Sequence, residues 1–167
     1  IGQMPVCPSD NKKFKARALS LKEVETLRDD FIKAAVLSES AGFDGVELHA
    51  AHGYILAQFL SPEINQREDA YGQGLNNRCR LLYEIIDGIR KECNKNFMIG
   101  VRLSPERFDM KLSEVIIVAQ ELMTSGKIDF LDMSLWDVFK EPEEEGFKGK
   151  SLLSYFTELE RGNTQLG

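Results

Sequence analysis

Residues 43–50 read FDGVELHA, and this stretch decides how the whole chain is interpreted. Val46 and Leu48 alternate there with Glu47 and His49, a period of two that is typical of a β-strand with one buried face. A short glycine-containing turn separates the stretch from a helical pattern that precedes it. The stretch is therefore predicted to be a strand that directly follows a helix.

Helical and strand patterns continue on both sides of this strand. Ser20 and Glu23 stand three residues apart before an apolar, periodic segment, which is the pattern of a capping box and predicts a helix over residues 21–41. Residues 1–19 and the acidic segment 140–150 are predicted to be loops. The remaining predictions are helices at 55–60, 75–93 and 112–125, strands at 97–103 (FMIGVRL) and 129–135 (DFLDMSL), and the start of a helix at 152–159.

Strands that alternate with helices of this length predict a parallel sheet with helical crossovers. Doubly wound sheets and (β/α)₈ barrels share this local order, and both collect ligand groups at the carboxyl ends of their strands. His49, Arg102 and Ser134 stand at such ends. Because a full barrel needs ~200 residues or more, three strands predict either a part of a barrel or a small sheet.

Composition and charge limit the partners of the chain. The 167 residues are 43% hydrophobic, enough for one domain with a core, and carry a net charge of −6 without a basic stripe. Nucleic acid and membrane are therefore not expected as partners. The three cysteines are scattered and form no disulfide framework, which predicts a cytoplasmic location.

The chain has two histidines, His49 and His52, which stand three residues apart directly before Gly53 and Tyr54. Three interpretations compete: a metal site, an organic-ligand site, or a hydrogen-bonded strand end. Zinc needs three or four ligands, and no third ligand has a suggestive spacing, so no metal site is predicted. The structural interpretation and the organic-ligand interpretation both stay open at this point.

The organic-ligand interpretation has a clear chemical basis. The imidazoles of His49 and His52 can together donate hydrogen bonds to one carbonyl or nitro oxygen and stabilise negative charge that develops there. Tyr54 can donate a proton to a carbanion-like carbon, and Arg102 can meet an electron-rich oxygen or ring nitrogen. No side chain delivers hydride, so such a reduction needs a cofactor. Alternatively, Tyr54 caps the helix at 55–60, and Arg102 forms an ion pair with Glu47 or Asp132.

Residues 41–78 closely resemble the central segment of the Old Yellow Enzyme family of FMN-dependent ene reductases. The resemblance includes the H-x-x-H-G-Y core and the QFLSP that follows it. It continues through the N-x-R-x-D-x-Y-G loop at residues 65–72 and the Asn77–Arg78 pair that opens a helix. The segment GVRLSP at residues 100–105 resembles the family's next strand.

The resemblance implies a fold and a reaction. The fold is a partial (β/α)₈ TIM barrel, roughly strands 4 to 6 with flanking helices, in one segment over residues 1–167. The reaction is the reduction of an activated C=C bond, as in enones or nitroalkenes, by FMN that NAD(P)H has reduced. The partner is thus a small-molecule activated alkene or related electrophile, and self-association into a homo-oligomer stays open.

The resemblance also implies roles for single residues. His49 and His52 match the pair that binds the substrate oxygen, and Tyr54 matches the tyrosine associated with proton delivery. Arg102 matches the arginine that contacts the flavin ring. The predicted catalytic residues are Tyr54, His49 and His52. The predicted cofactor-binding residue is Arg102.

The sequence departs from the family pattern at two levels. Ala70, Gln73, Gly74 and Asn76 stand where the family commonly has Glu, Gly, Ser and Glu, so local stability is expected to change more than chemistry. The second departure is length, since the family's early and late barrel strands would lie outside residues 1–167. The chain is therefore expected to be a fragment of a flavin oxidoreductase. The alternatives are a catalytically silent interaction module and, less favoured, a metal-dependent barrel enzyme.

Overall fold

The computed structural model describes residues 4–12 and 15–167 and shows a parallel sheet with helical crossovers. The helices are α1 (Leu21–Ser40), α2 (Ile55–Leu60), α3 (Leu75–Glu92), α4 (Leu112–Thr124) and α5 (Ser154–Thr157), with a 3-10 turn at Glu145–Phe147. The strands are β1 (Val6–Cys7), β2 (Arg17–Ala18), β3 (Gly45–Ala50), β4 (Met98–Leu103), β5 (Phe130–Met133) and β6 (Gln165–Leu166). The predicted helices and strands between residues 20 and 135 are all present, with ends that differ by one or two residues.

The main sheet of the described residues contains four strands in the order β3-β4-β5-β6, and neighbouring strands are parallel. Its register places His49 beside Arg102 and Arg102 beside Asp132. Because side chains alternate between the faces of a strand, these three residues share one face near the carboxyl end of the sheet. The register thus places three residues that are distant in sequence side by side on neighbouring strands, near the carboxyl end of the sheet.

Helix α1 begins at the predicted capping box. The Glu23 backbone N–H donates to Ser20 Oγ at 3.3 Å, and the Ser20 backbone N–H donates to Glu23 Oε2 at 2.9 Å. Arg17, the first residue of β2, adds a bidentate ion pair to the same carboxylate. The helix therefore starts where the sequence predicts, because two backbone N–H groups find partners within one turn.

The core lies between the sheet and its helices. Leu48, Val101 and Leu131, on three adjacent strands, are at most 3% exposed, and they face away from the edge that carries His49. Helices α1 and α3 pack closely because Gly88 has no side chain, since a Cβ there would lie 2.1 Å from Ile32 Cδ1. One face of the sheet is thus sealed by helices, which leaves the other face for polar residues.

The structure corrects three sequence predictions. Residues 165–166 add the strand β6, and within residues 1–19 the pairs Val6–Cys7 and Arg17–Ala18 form short parallel strands instead of loop. Part of that loop prediction, at residues 1–3 and 13–14, lies outside the described residues. The helix at 152–159 is reduced to the single turn of α5. Two-residue strands carry no periodicity, so pairing with a neighbour defines them rather than local sequence.

None of the helices in the described ranges is both long and apolar enough to cross a membrane.

Candidate active site

The candidate site is built at the carboxyl end of the parallel strands, where the sequence predicts it. His49 lies in β3 and Arg102 in β4, side by side in the register, and Tyr54 is the N-cap residue of α2. The His52 ring lies 5.0 Å from the His49 ring, and the Tyr54 ring lies 5.1 Å from it, measured between centroids. The fold thus brings together all four predicted site residues.

His52 occupies an unusual backbone conformation, with φ at +56°. Its backbone N–H donates to Ser104 Oγ at 3.0 Å, and its Nε2 lies 2.6 Å from Ser134 Oγ. Left-handed conformations of non-glycine residues cost energy and cluster at functional sites, so they need support from their surroundings. The two serines, from the ends of neighbouring strands, supply that support.

The environment of His52 favours a neutral imidazole. Burial lowers the pKa of His52 from its ordinary value, and the neighbouring His49 and Arg102 lower the pKa further. Asp132 acts in the opposite direction, as the smallest of these effects. A neutral imidazole has one N–H donor and one acceptor nitrogen, so His52 can donate from only one of its ring nitrogens.

The turn between His52 and α2 directs Tyr54 back towards the histidines. Gly53 has φ at +72°, and the Tyr54 backbone N–H closes the turn on Ala51 O at 3.1 Å. Gln58 braces the same turn, because its Nε2 donates to Gly53 O at 2.7 Å. Tyr54 makes no side-chain cap hydrogen bond, so its hydroxyl does not serve the helix.

Arg102 has a structural partner and a free donor. Its Nε lies 3.0 Å from Asp132 Oδ2, so of the two carboxylates considered from the sequence the structure selects Asp132. The Nε–H is nevertheless buried and has no partner at hydrogen-bonding geometry among the described residues. A second guanidinium nitrogen lies 3.5 Å from Ser134 Oγ. Asp132 therefore holds the guanidinium through its Nε side and leaves the terminal nitrogens for a ligand.

The outer edge of the site carries aromatic and cationic side chains. Phe108 packs on His52 with a centroid distance of 5.9 Å, and the Arg107 guanidinium lies 5.1 Å from the Trp136 ring centroid. Trp136 is 88% exposed, so it does not pack into the core. Arg107, Phe108 and Trp136 all have positive φ, which marks this edge as strained.

Ser134 is expected at the site from its place at a strand end, whereas Ser104 and Phe108 were not selected from the sequence. Ser104 and Ser134 follow Arg102 and Asp132 by two residues, so the alternation of a strand places them on the same face. That parity was the available signal for both serines. Phe108 carries no such signal, because the left-handed run that brings it to His52 has no local pattern.

The N-x-R-x-D-x-Y-G loop, the second stretch that carries the resemblance, is structural. Buried Asn65 donates to Phe59 O and Tyr71 O, both at 2.7 Å. Arg67 donates to two backbone carbonyls at the start of the chain and pairs with Asp69 at 2.5 Å. These side chains are therefore satisfied by the protein itself and leave no group for a ligand.

Arg78, from the Asn-Arg pair that opens α3, is also structural. It is 3% exposed, donates to Leu60 O at 2.6 Å, and forms a bidentate pair with Glu114 at 2.6 and 2.9 Å. It also donates to Gln73 O at 3.1 Å. One guanidinium thus joins the end of α2, the entry to α3 and the first turn of α4.

Over the described ranges, the structure contains no group of three or more His, Cys, Asp and Glu side chains that could hold a metal ion.

Known proteins share this arrangement of sequence and fold. The chain is 39% identical over 123 residues to the NADH-dependent flavin oxidoreductase iliE of Hypocrea jecorina, covering 72% of this chain and 30% of that protein. It is 45% identical over 89 residues to 12-oxophytodienoate reductase 2 of Arabidopsis thaliana, covering 53% of this chain and 24% of that protein. The chain therefore spans less than a third of the length of these relatives.

Solved structures support the same assignment. A 2-naphthoyl-CoA reductase in complex with 2-naphthoyl-CoA superposes with a TM-score of 0.72 at 32% identity, over 80% of this chain and 21% of that one. Histamine dehydrogenase from Rhizobium sp. 4-9 superposes with a TM-score of 0.69 at 31% sequence identity. The match covers 79% of this chain and 21% of that one. The predicted fold class, a part of a (β/α)₈ barrel, is confirmed.

The model of one protein family matches residues 3–151, which include the histidine pair, Tyr54 and Arg102. This match and the 12-oxophytodienoate reductases among the relatives confirm the predicted resemblance to the Old Yellow Enzyme family. With the strand-end site in place, the chain belongs to the NADH:flavin oxidoreductase / NADH oxidase family.

Proposed function

We propose that the chain carries the substrate-binding edge of an FMN-dependent oxidoreductase that uses NAD(P)H to reduce activated C=C bonds, such as those of enones and nitroalkenes. The observation that carries the proposal is the convergence of three side chains. The ring centroids of His52 and Tyr54 lie 5.0 and 5.1 Å from the ring centroid of His49. The names of the relatives, flavin oxidoreductases and 12-oxophytodienoate reductases, support the same class of reaction.

The residues of this site fit the ring edge of FMN. The pyrimidine edge of a flavin carries oxygen and nitrogen acceptors, and the Arg102 side chain, 36% exposed, offers the N–H groups of its terminal guanidinium nitrogens. Asp132 fixes the guanidinium from the neighbouring strand, at 3.0 Å. We therefore assign Arg102 the contact with FMN. When bound, FMN supplies hydride transfer from NAD(P)H to the alkene.

The histidines bind and polarise the substrate in this proposal. His49 and His52 each offer an N–H to one carbonyl or nitro oxygen, and they stabilise the negative charge that develops there as the C=C bond is reduced. Neutral His52 suits this role, because burial and the charges of His49 and Arg102 lower its pKa. A neutral donor stabilises the charge and keeps its own proton.

Tyr54 delivers the proton. Its ring lies 5.1 Å from the His49 ring, and the residue is 62% exposed on the open side of the site. A phenol beside the bound alkene can protonate the carbon next to the polarised group, and a positioned acid of this kind typically accelerates a reaction by about 10²–10⁴-fold. The hydroxyl is free for this task because it does not cap α2.

The test is an FMN titration of this chain, followed by flavin fluorescence and by the absorption of a phenolic ligand. Phenolates held over a flavin give a long-wavelength charge-transfer band. We expect FMN to bind, and we expect the band to appear with the wild type but not with a His49→Ala/His52→Ala variant. An Asn94→Ala variant, changed at an exposed residue after α3, serves as the control and should keep the band. A band that survives the double substitution would contradict the proposed role of the histidines.

A further inference from the structure

Ser134 occupies a position between two groups of the site. It follows β5, and its backbone N–H donates to Leu103 O at 2.8 Å, which extends the pairing of β4 and β5 by one residue. Its hydroxyl oxygen lies 2.6 Å from His52 Nε2 and 3.5 Å from a terminal nitrogen of Arg102. One hydroxyl therefore joins the proposed substrate-binding histidine to the proposed flavin-binding arginine.

The chemistry of Arg102, Ser134 and His52 favours one direction for the hydrogen bonds between them. A guanidinium can only donate hydrogen bonds, so Ser134 Oγ is the acceptor of the Arg102 contact. The serine hydroxyl keeps its single proton, which it can donate to His52 Nε2, and this arrangement is favoured because hydrogen bonds that run in one direction polarise and strengthen each other. A neutral His52 whose Nε2 accepts must carry its proton on Nδ1.

We propose that Ser134 is a positioning residue that holds His52 in the Nδ1–H tautomer, so that Nδ1–H is the donor that His52 offers to a substrate oxygen. Without Ser134, Nε2 loses its donor, and the imidazole is free to exchange to the tautomer with the proton on Nε2. Nδ1 then presents a lone pair to the substrate oxygen and repels it. The role of the donor rests on the proposed function, whereas the tautomer does not.

The tautomer can be measured directly, because the chain contains only two histidines. Nitrogen-15 NMR distinguishes protonated from unprotonated ring nitrogens, and a His49→Gln variant assigns the remaining signals to His52. At pH 8, well above the ordinary histidine pKa of about 6.5, we expect wild-type His52 to carry its proton on Nδ1. Signals that place the proton on Nε2 of wild-type His52 would overturn the proposal.

Substitutions separate the hydroxyl from the shape of Ser134. We expect Ser134→Ala to shift His52 towards the Nε2–H tautomer, and Ser134→Thr, which keeps the hydroxyl, to restore the wild-type signals. Ser38→Ala is the matched control, because it removes a hydroxyl that donates to Ala34 O within α1. An unchanged tautomer in Ser134→Ala argues against the role of the hydroxyl.

Binding of a phenolic ligand to the FMN-loaded chain supplies the second measurement. Loss of one well-placed donor should weaken the ligand roughly tenfold in Ser134→Ala and leave it unchanged in Ser134→Thr. If FMN does not bind, the proposed function fails for this chain, and the nitrogen signals still decide the tautomer. If the tautomer shifts in Ser134→Ala and ligand affinity does not, His52 is not the donor, and the proposed function is wrong on that point.

Discussion

The edge around the histidine pair and the loop at residues 65–72 are both marked by dense sequence motifs, yet they have opposite physical characters. In the loop and at neighbouring Arg78, buried side chains are bonded to backbone carbonyls and carboxylates of the protein itself. At the edge, Tyr54 is exposed and makes no side-chain capping bond, and the Arg102 side chain remains 36% exposed beside Asp132. Polar groups that the protein satisfies stabilise the fold, whereas those left unsatisfied are available to ligands.

The largest effect on stability is expected at the buried guanidinium. Arg78→Met removes the bonds to Leu60 O and Gln73 O and leaves Glu114 without its partner. Breaking a buried pair from one side should lower the free energy of unfolding by about 3 kcal/mol. Urea denaturation measures this loss, with Arg80→Met as the control, since Arg80 is exposed and donates to Ala70 O and Asn77 Oδ1 at the surface. Equal losses of unfolding free energy in Arg78→Met and Arg80→Met would show that the burial of Arg78 does not determine its contribution to stability.

A smaller effect of opposite sign is expected at Gln73, where the family pattern commonly has glycine. Gln73 adopts φ at +69°, a conformation that glycine accepts without strain. Gln73→Gly should therefore raise the free energy of unfolding by about 1 kcal/mol. The loss of the hydrogen bond from Gln73 Nε2 to Glu68 O offsets part of this gain. Thermal unfolding tests this change, and a Gln66→Gly variant in the same loop, where φ is not positive, should be destabilised instead.

The start of α1 gives a still smaller, pH-dependent effect. The hydrogen bonds from Arg17 and then from Ser20 lower the pKa of Glu23 from 4.5 to about 2. Because the pKa is lowered on folding, the stabilisation is complete above about pH 4.5 and is lost as the pH falls towards 2. The stability difference between wild type and Glu23→Gln should therefore shrink over that window. A difference that stays constant down to pH 2 would refute the assignment.

The smallest effect on stability is expected at Tyr54, where the effect on chemistry should be large. Tyr54→Phe removes the hydroxyl of an exposed N-cap residue whose side chain makes no capping hydrogen bond, so stability should change by less than about 0.5 kcal/mol. Proton delivery in the proposed reaction should slow about 100-fold. Unfolding curves and the rate of alkene reduction by the FMN-loaded protein give the two measurements. A stability loss as large as that of Arg78→Met would remove the distinction between the two regions.

The amino-acid pattern alone predicts the alternation of helices and strands, the capping box at Ser20 and the strand ends that carry His49 and Arg102. These features rest on local periodicity and on contacts within one turn of chain, so they can be predicted without tertiary information. The resemblance to a family supplied the remaining roles of the edge residues, which the residue patterns alone left open.

Which side chains contact each other depends on the packing of the whole chain. The register of parallel strands places Asp132 beside Arg102, and the left-handed conformation of His52 brings its Nε2 to Ser134. Strand β6 likewise exists only because β5 offers unpaired backbone groups. Each of these contacts joins residues that are at least thirty positions apart, and a distance set by packing leaves no periodic trace in the sequence.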